Sequence, residues 1–207
     1  MNATVSVSFH TISVKPESSG YEYSYLDTRF RAQTISEGGY AMEYNEDLVR
    51  QAKAGNAHAF ARLYEMIYQD LYRFALYTLK NVHDAEDTVS DTVVDAFRQI
   101  QSLQHPEAFR AWMFRILTNK CKMKLKSYID KTAELPEELA VSTPDLSEQA
   151  DVRNAFFALD PEDRLILSMN LFAGYSSREI GELMKLNDNT VRSRQSRALK
   201  KMQEQLS

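Results

Sequence analysis

Cysteine is all but missing from this 207-residue chain: Cys121 stands alone. An internal disulfide and a cysteine-rich metal site are both excluded. Glycine (6) and proline (5) are scarce for the length, which disfavours sandwiches and barrels built on many tight turns and favours helices. No run of about 18 apolar residues exists, so no segment is expected to span a membrane. The N-terminus has Val5, Val7 and Phe9 in alternation where a secretion signal would have a basic and then an apolar stretch, and a cytoplasmic protein is expected. Glycine-rich phosphate loops, nucleophile elbows and zinc-ligand spacings are missing too. Neither catalysis nor a cofactor is therefore expected.

What is there is a 43% hydrophobic, 26% charged chain with a formal net charge of only −4. That total hides a segregation. Between 110 and 126 stand Arg110, Arg115, Lys120, Lys122, Lys124 and Lys126 with no acid. Between 185 and 201, six more cations face Asp188 alone. Between these blocks, residues 134–151 hold Glu134, Glu137, Glu138, Asp145, Glu148 and Asp151 and no base. Two basic segments joined by an acidic connector point to nucleic acid more sharply than the sum does.

Helical periodicity begins near Asn45. Residues 1–42 read as an N-terminal extension, poorly ordered or forming a short strand over 4–14, and Met42 leaves open that residues 1–41 lie upstream of the start. Residues 43–131 are expected to form a four-helix domain. Its stripes are Phe60, Leu63, Ile67, Leu71 and Phe74; then Ala85, Val89, Val93 and Ala96 behind a cap at Asp84; then Phe109, Trp112, Met113, Ile116 and Leu117 behind Pro106. Residues 132–147, with Pro136, Pro144 and many acids, read as a linker. Residues 148–207 read as a second helical domain, with Asp160-Pro161 and the capping-box pair Ser176/Glu179 as helix starts. The expected class is all-α, two small domains on a flexible acidic linker.

Three constellations carry chemistry. The last two predicted helices, a short one and a longer arginine-rich one across a brief turn, have helix-turn-helix form. Thr190, Arg192, Ser193, Arg194, Ser196 and Arg197 lie off the Val191/Ala198/Met202 stripe. Arginine pairs bidentately with guanine and serine or threonine reads several base edges. An ordinary helix pair with a solvated basic face would carry the same charges. The second constellation is the helix from Phe109, with Trp112, six cations and Asn119, a composition suited to an unpaired strand. The third is acidic: Asp84, Glu86, Asp87, Asp91 and Asp95 along one helix. A di-metal site would need Glu-x-x-His pairs and acids from other helices, so a face for a basic protein is the better account.

Taken together, these residues resemble the extracytoplasmic-function sigma factors of the sigma-70 family, over residues 43–206. Asp84-Ala85-Glu86-Asp87 followed by Phe97 is similar to that family's region 2.2. Phe109-Arg110-Ala111-Trp112-Met113-Phe114-Arg115-Ile116 with Asn119 is similar to region 2.4. Leu159-Asp160-Pro161, Ser177-Arg178-Glu179-Ile180 and Thr190-Val191-Arg192-Ser193-Arg194 with Arg197-Ala198 are similar to region 4. The resemblance implies a region 2-like and a region 4-like domain. The partners implied are core RNA polymerase, promoter DNA and an anti-sigma factor, which could hold the chain at the inner membrane. Asp84, Glu86, Asp87, Ser90 and Asp91 would dock on polymerase. Phe109, Arg110, Trp112, Arg115, Ile116, Asn119 and Lys120 would engage the −10 element. Arg178, Thr190, Arg192, Ser193, Arg194, Ser196 and Arg197 would engage the −35 element. Two positions depart from the pattern: Ser90 replaces a frequent glutamine, and Lys185 replaces a frequent helix-turn-helix glycine. A helix-turn-helix regulator acting without polymerase is the alternative.

Overall fold

A computed structural model describes residues 46–130 and 148–206. The expected N-terminal extension and the acidic connector over 132–147 lie outside the described residues. Within them every regular element is helical: α1 (Glu46–Lys53), α2 (Ala57–Leu79), α3 (Val82–Gln99), α4 (Phe109–Asp130), α5 (Glu148–Phe157), α6 (Pro161–Leu171), α7 (Ser177–Met184) and α8 (Asp188–Gln205). Two 3-10 turns, Ile100–Ser102 and Pro106–Ala108, join α3 to α4.

Local chemistry sets the boundaries. Asn56 caps α2, accepting from the His58 and Ala59 amides. The expected cap at Asp84 is displaced: Asn81 caps α3 and accepts from the Asp84 amide at 2.9 Å, so Asp84 sits inside the first turn. Both are capping residue types within one turn, and the extended backbone at Asn81 decides between them. Asp160 holds the N-cap position of α6 with Pro161 behind it, but its side chain makes no cap hydrogen bond. At α7 the full capping box of Ser176 and Glu179 is present. Lys185 ends that helix at φ 57°, the left-handed conformation glycine would take more cheaply. The turn to α8 is tight at Gly181, where a Cβ would stand 2.7 Å from the Leu186 carbonyl oxygen.

The first four helices and α6–α8 share one core. Leu63, Ile67, Leu71, Phe74, Phe109, Met113 and Leu117 join Leu165, Ile166, Met169, Ile180 and Val191 in a continuous buried cluster. A second cluster, around Ala155, Phe156, Leu159, Leu167, Ala198 and Met202, takes in Tyr77 from α2. Tyr77 meets Phe156, Phe157 and Phe172 at ring centroid distances of 5.1, 5.5 and 5.2 Å. Polar contacts finish the seam between the halves. Arg164, 5% exposed, donates to the carbonyls of Thr78 (3.3 Å) and Leu159 (2.7 Å). Lys122 donates to the Leu183 carbonyl at 2.7 Å, and the Tyr175 hydroxyl to the Ala111 carbonyl at 3.1 Å.

Candidate nucleic-acid interface and its acidic counterpart

Helix α4 divides its residues by direction. Phe109, Met113, Phe114, Leu117, Thr118 and Cys121 are buried. Arg115, Asn119, Met123 and Lys126 are exposed, and Trp112 and Ile116 are half-buried beside them. At about 100° per residue these six fall in one arc of roughly 100°. The arc is apolar, amide-bearing and basic at once, which suits stacking on bases with cations on phosphates. Three expected members are elsewhere. Phe109 is 0% exposed and braces Trp112 from below, with ring centroids 6.2 Å apart. Arg110 turns to Asp70 at 2.8 Å and to the Phe172 carbonyl at 2.9 Å, with its guanidinium over the Phe114 ring. Lys120 is paired with Asp95 at 2.6 Å. These three hold the helix in place; they do not stand on its open face. Met123, 65% exposed, was missed by the sequence reading although its spacing from Asn119 and Ile116 puts it on the same arc.

The α7–α8 pair is a helix-turn-helix. Val191, Ala198 and Met202 are buried, and Ser177 donates to the Gln195 amide oxygen at 3.1 Å across the pair. Thr190, Arg192, Ser193, Ser196 and Arg197 are exposed on α8, and Arg178 on α7. Arg197 leans back on the Ser193 carbonyl at 3.3 Å, Arg192 is paired with Asp188 at 2.7 Å, and Arg178 with Glu182 at 3.3 Å. These are exposed i, i+4 contacts that a phosphate can replace at little cost. Arg194 differs. It is only 27% exposed and is bound by Glu162 and Asp163 of α6, and the Glu162 hydrogen bond holds its pKa above the ordinary value. Asn189, exposed in the first turn of α8, is a further candidate that the sequence reading passed over.

Helix α3 carries the acids. Asp84 and Asp95 lean toward α4, where Lys124 and Lys120 bind them at 2.6 Å each. Asp84 also accepts the Tyr128 hydroxyl. Burial works against its charged form, but the Lys124 and Tyr128 hydrogen bonds outweigh that and hold its carboxyl below the usual value. The Asp84 carboxylate is therefore spent on the fold. Glu86, Asp87, Ser90 and Asp91 are exposed and share their face with Val94 and Phe97, which are 38% and 46% exposed. Among the described residues no group of three His, Cys, Asp or Glu side chains could hold a metal ion, and no helix is long and apolar enough to cross a membrane.

Comparison with known proteins gives two family matches: Sigma-70 region 2 over residues 63–128, and Sigma-70, region 4, over residues 150–202. The RNA polymerase sigma factor SigV of Bacillus subtilis is 30% identical over 144 residues, covering 67% of this chain and 85% of the relative. The ECF RNA polymerase sigma factor SigM of Mycobacterium tuberculosis is 28% identical over 164 residues, covering 78% and 84%. Among solved structures, CnrH in complex with the cytosolic domain of CnrY superposes with a TM-score of 0.56 at 25% identity, covering 79% of this chain and 97% of CnrH. The sigma factor RpoE of Bartonella quintana, solved with the anti-sigma factor NepR, shares the fold with a TM-score of 0.58 at 22% identity, covering 71% and 96%.

Proposed function

The chain belongs to the extracytoplasmic-function branch of the sigma-70 family, and on that premise we propose how it works as an alternative sigma factor, binding core RNA polymerase and directing it to two promoter elements. One observation carries the division of labour: a mixed apolar-basic face on α4 and a Ser/Arg face on α8 point outward from the same chain as an acidic-apolar face on α3. The α3 face, with Glu86, Asp87, Ser90 and Asp91, docks on a basic surface of the polymerase. On α4, Trp112, Ile116, Asn119 and Met123 receive bases of the opened −10 strand while Arg115 and Lys126 meet its phosphates. Expelling a base costs a few kcal/mol, and stacking plus phosphate contacts of about 1–3 kcal/mol per base offset it. On α8, Ser193, Ser196, Arg197 and Thr190 read the −35 duplex, with Arg178 and Arg192 flanking as phosphate contacts, while Arg194, held by Glu162 and Asp163, braces α8 against α6.

The place of work is the cytoplasm, where core polymerase is. An anti-sigma factor that covers one or more of these faces in the resting state belongs to the same reading, and RpoE, solved with its anti-sigma factor, supports it. Transcription in vitro is the test. Purified chain plus core enzyme should yield discrete transcripts from promoters recovered by its own immunoprecipitation. Transcripts that require a preformed holoenzyme would make it an ordinary helix-turn-helix regulator instead.

A further inference from the structure

Hydrophobic packing holds α8 at both ends of its reading segment but not across it. Its buried side chains are Val191, Ala198 and Met202. Continued at helical spacing, that stripe needs apolar residues at 194 and 195, and Arg194 and Gln195 stand there instead. Both are half-buried, and both are held by polar contacts from other helices. Gln195 accepts the Ser177 hydroxyl of α7 at 3.1 Å. Arg194 donates to the Glu162 carboxylate of α6, and its Nε lies 3.7 Å from Asp163 Oδ1. That Asp163 oxygen is buried and has no hydrogen-bond partner among the described residues, so the guanidinium beside it supplies the compensating charge. At about 100° per residue, Ser193, Ser196 and Arg197 lie on the opposite side of the helix. The DNA-facing residues thus sit over the one stretch where apolar packing does not fix the roll of α8.

We propose that Arg194 is a positioning residue: clamped by Glu162 and Asp163, it sets the roll of α8, and with it the base-pair specificity of −35 reading, without touching DNA itself. This rests on the base reading by α8 proposed above and deepens it. The tolerance is small. A side-chain tip about 6 Å from the helix axis moves about 1 Å when the helix rolls by about 10°. A hydrogen bond to a base edge forms over a donor–acceptor range of only about 0.5 Å, so that displacement breaks it. A cation reaching a phosphate on a flexible stem follows the movement. Loss of the clamp therefore blurs discrimination between base pairs and leaves general affinity for DNA nearly intact. A phosphate contact at Arg194 has the opposite signature: its loss weakens binding to every sequence alike and lowers the salt slope by about 1. The geometry favours the clamp, because Arg194 is only 27% exposed and turns its Nε and Nη1 toward α6.

The test measures the full-length chain by fluorescence anisotropy on the cognate −35 duplex, on duplexes with one −35 base pair changed, and on random DNA. Arg194→Gln should cut the preference for the cognate duplex about tenfold, a difference of about 1.4 kcal/mol, and change affinity for random DNA less than about twofold. Glu162→Gln, at an exposed carboxylate, should cut the preference in the same direction with an unchanged melting temperature, which separates aiming from folding. It carries the test even where Arg194→Gln loses stability by leaving Asp163 uncompensated. Were Arg194 a phosphate contact, freeing it by Glu162→Gln would tighten binding to all duplexes and keep the preference. Arg194→Lys, which leaves a cation between the carboxylates, should recover most of the preference. Equal losses on cognate and random DNA for Arg194→Gln, or an unchanged preference in Glu162→Gln, would overturn the clamp. If Arg197→Ala still lowers the preference in that case, base reading by α8 stands without it. If Arg197→Ala has no effect either, α8 does not read the duplex and the underlying assignment falls too.

Discussion

Arg192, Arg194 and Arg197 lie within two turns of α8, and their neighbours give them unequal freedom. Arg197 has only its own helix to lean on, so it can turn to a base edge; Arg194 is held by two carboxylates from α6. Arg197→Ala should cost about 1–3 kcal/mol on the cognate −35 duplex and far less on random DNA, read by fluorescence anisotropy. Equal losses on both would remove it from base reading. Lys185 offers a test of backbone strain. Its φ of 57° costs an L-residue roughly 1 kcal/mol, and glycine pays less at that conformation while gaining freedom in the unfolded chain. Lys185→Gly should therefore leave stability unchanged or raise the melting temperature by a few degrees, seen by calorimetry. A clear fall would mean the lysine side chain makes a contact that matters.

Helix α3 shows how far a pattern of charges can be read. Its inward stripe of Ala85, Val89, Thr92, Val93 and Ala96 follows from periodicity, and all five are buried. The fate of the individual acids does not follow, because it depends on which lysines of α4, 25 and 40 residues away in sequence, come to stand opposite. Asp84 and Asp95 meet Lys124 and Lys120, while Glu86, Asp87 and Asp91 meet solvent. The same limit explains Arg110 and Lys120, whose partners are in other helices. Asp84 and Asp87 should therefore separate on mutation. Asp84→Asn should lower the melting point by weakening the α3–α4 contact and leave core binding intact, whereas Asp87→Lys should do the reverse. The pH dependence has a definite sign. Because the folded pKa of Asp84 is depressed, its stabilising contribution is complete above the unfolded value of about 4. It disappears as pH falls through the folded value. The gap in melting temperature between wild type and Asp84→Asn should close below about pH 4; a gap that persisted there would locate the effect outside this carboxylate.

At the scale of the whole molecule, the all-α class was legible from periodicity, capping residues and the shortage of turn formers, but the seam was not. Six consecutive residues of α6, Arg164 through Met169, are buried. A stripe analysis assigns such a helix one inward face, and only a partner on its other side, here α2, explains burial all round. That closed body has a consequence for promoter binding. The −10 and −35 elements lie roughly 25 base pairs apart, about 85 Å along B-form DNA at 3.4 Å per pair. A compact body of about 150 residues has a radius of gyration near 15 Å and is about 40 Å across. It cannot touch both elements. Residues 131–147 can span at most about 60 Å when extended, enough to bridge the remainder once the halves separate. Binding to polymerase and promoter must therefore break the Tyr77, Arg164, Lys122 and Tyr175 contacts across the seam. Dyes at Ala61→Cys on α2 and Lys201→Cys on α8, both exposed positions, can report it. The native Cys121 is buried, and burial pushes its thiol pKa up, so it should escape labelling. Energy transfer should be efficient in the free chain, fall when core enzyme is added, and stay low on promoter DNA. Transfer that remained efficient in an actively transcribing complex would mean that the halves work while closed, and that the two reading faces do not engage one promoter at once.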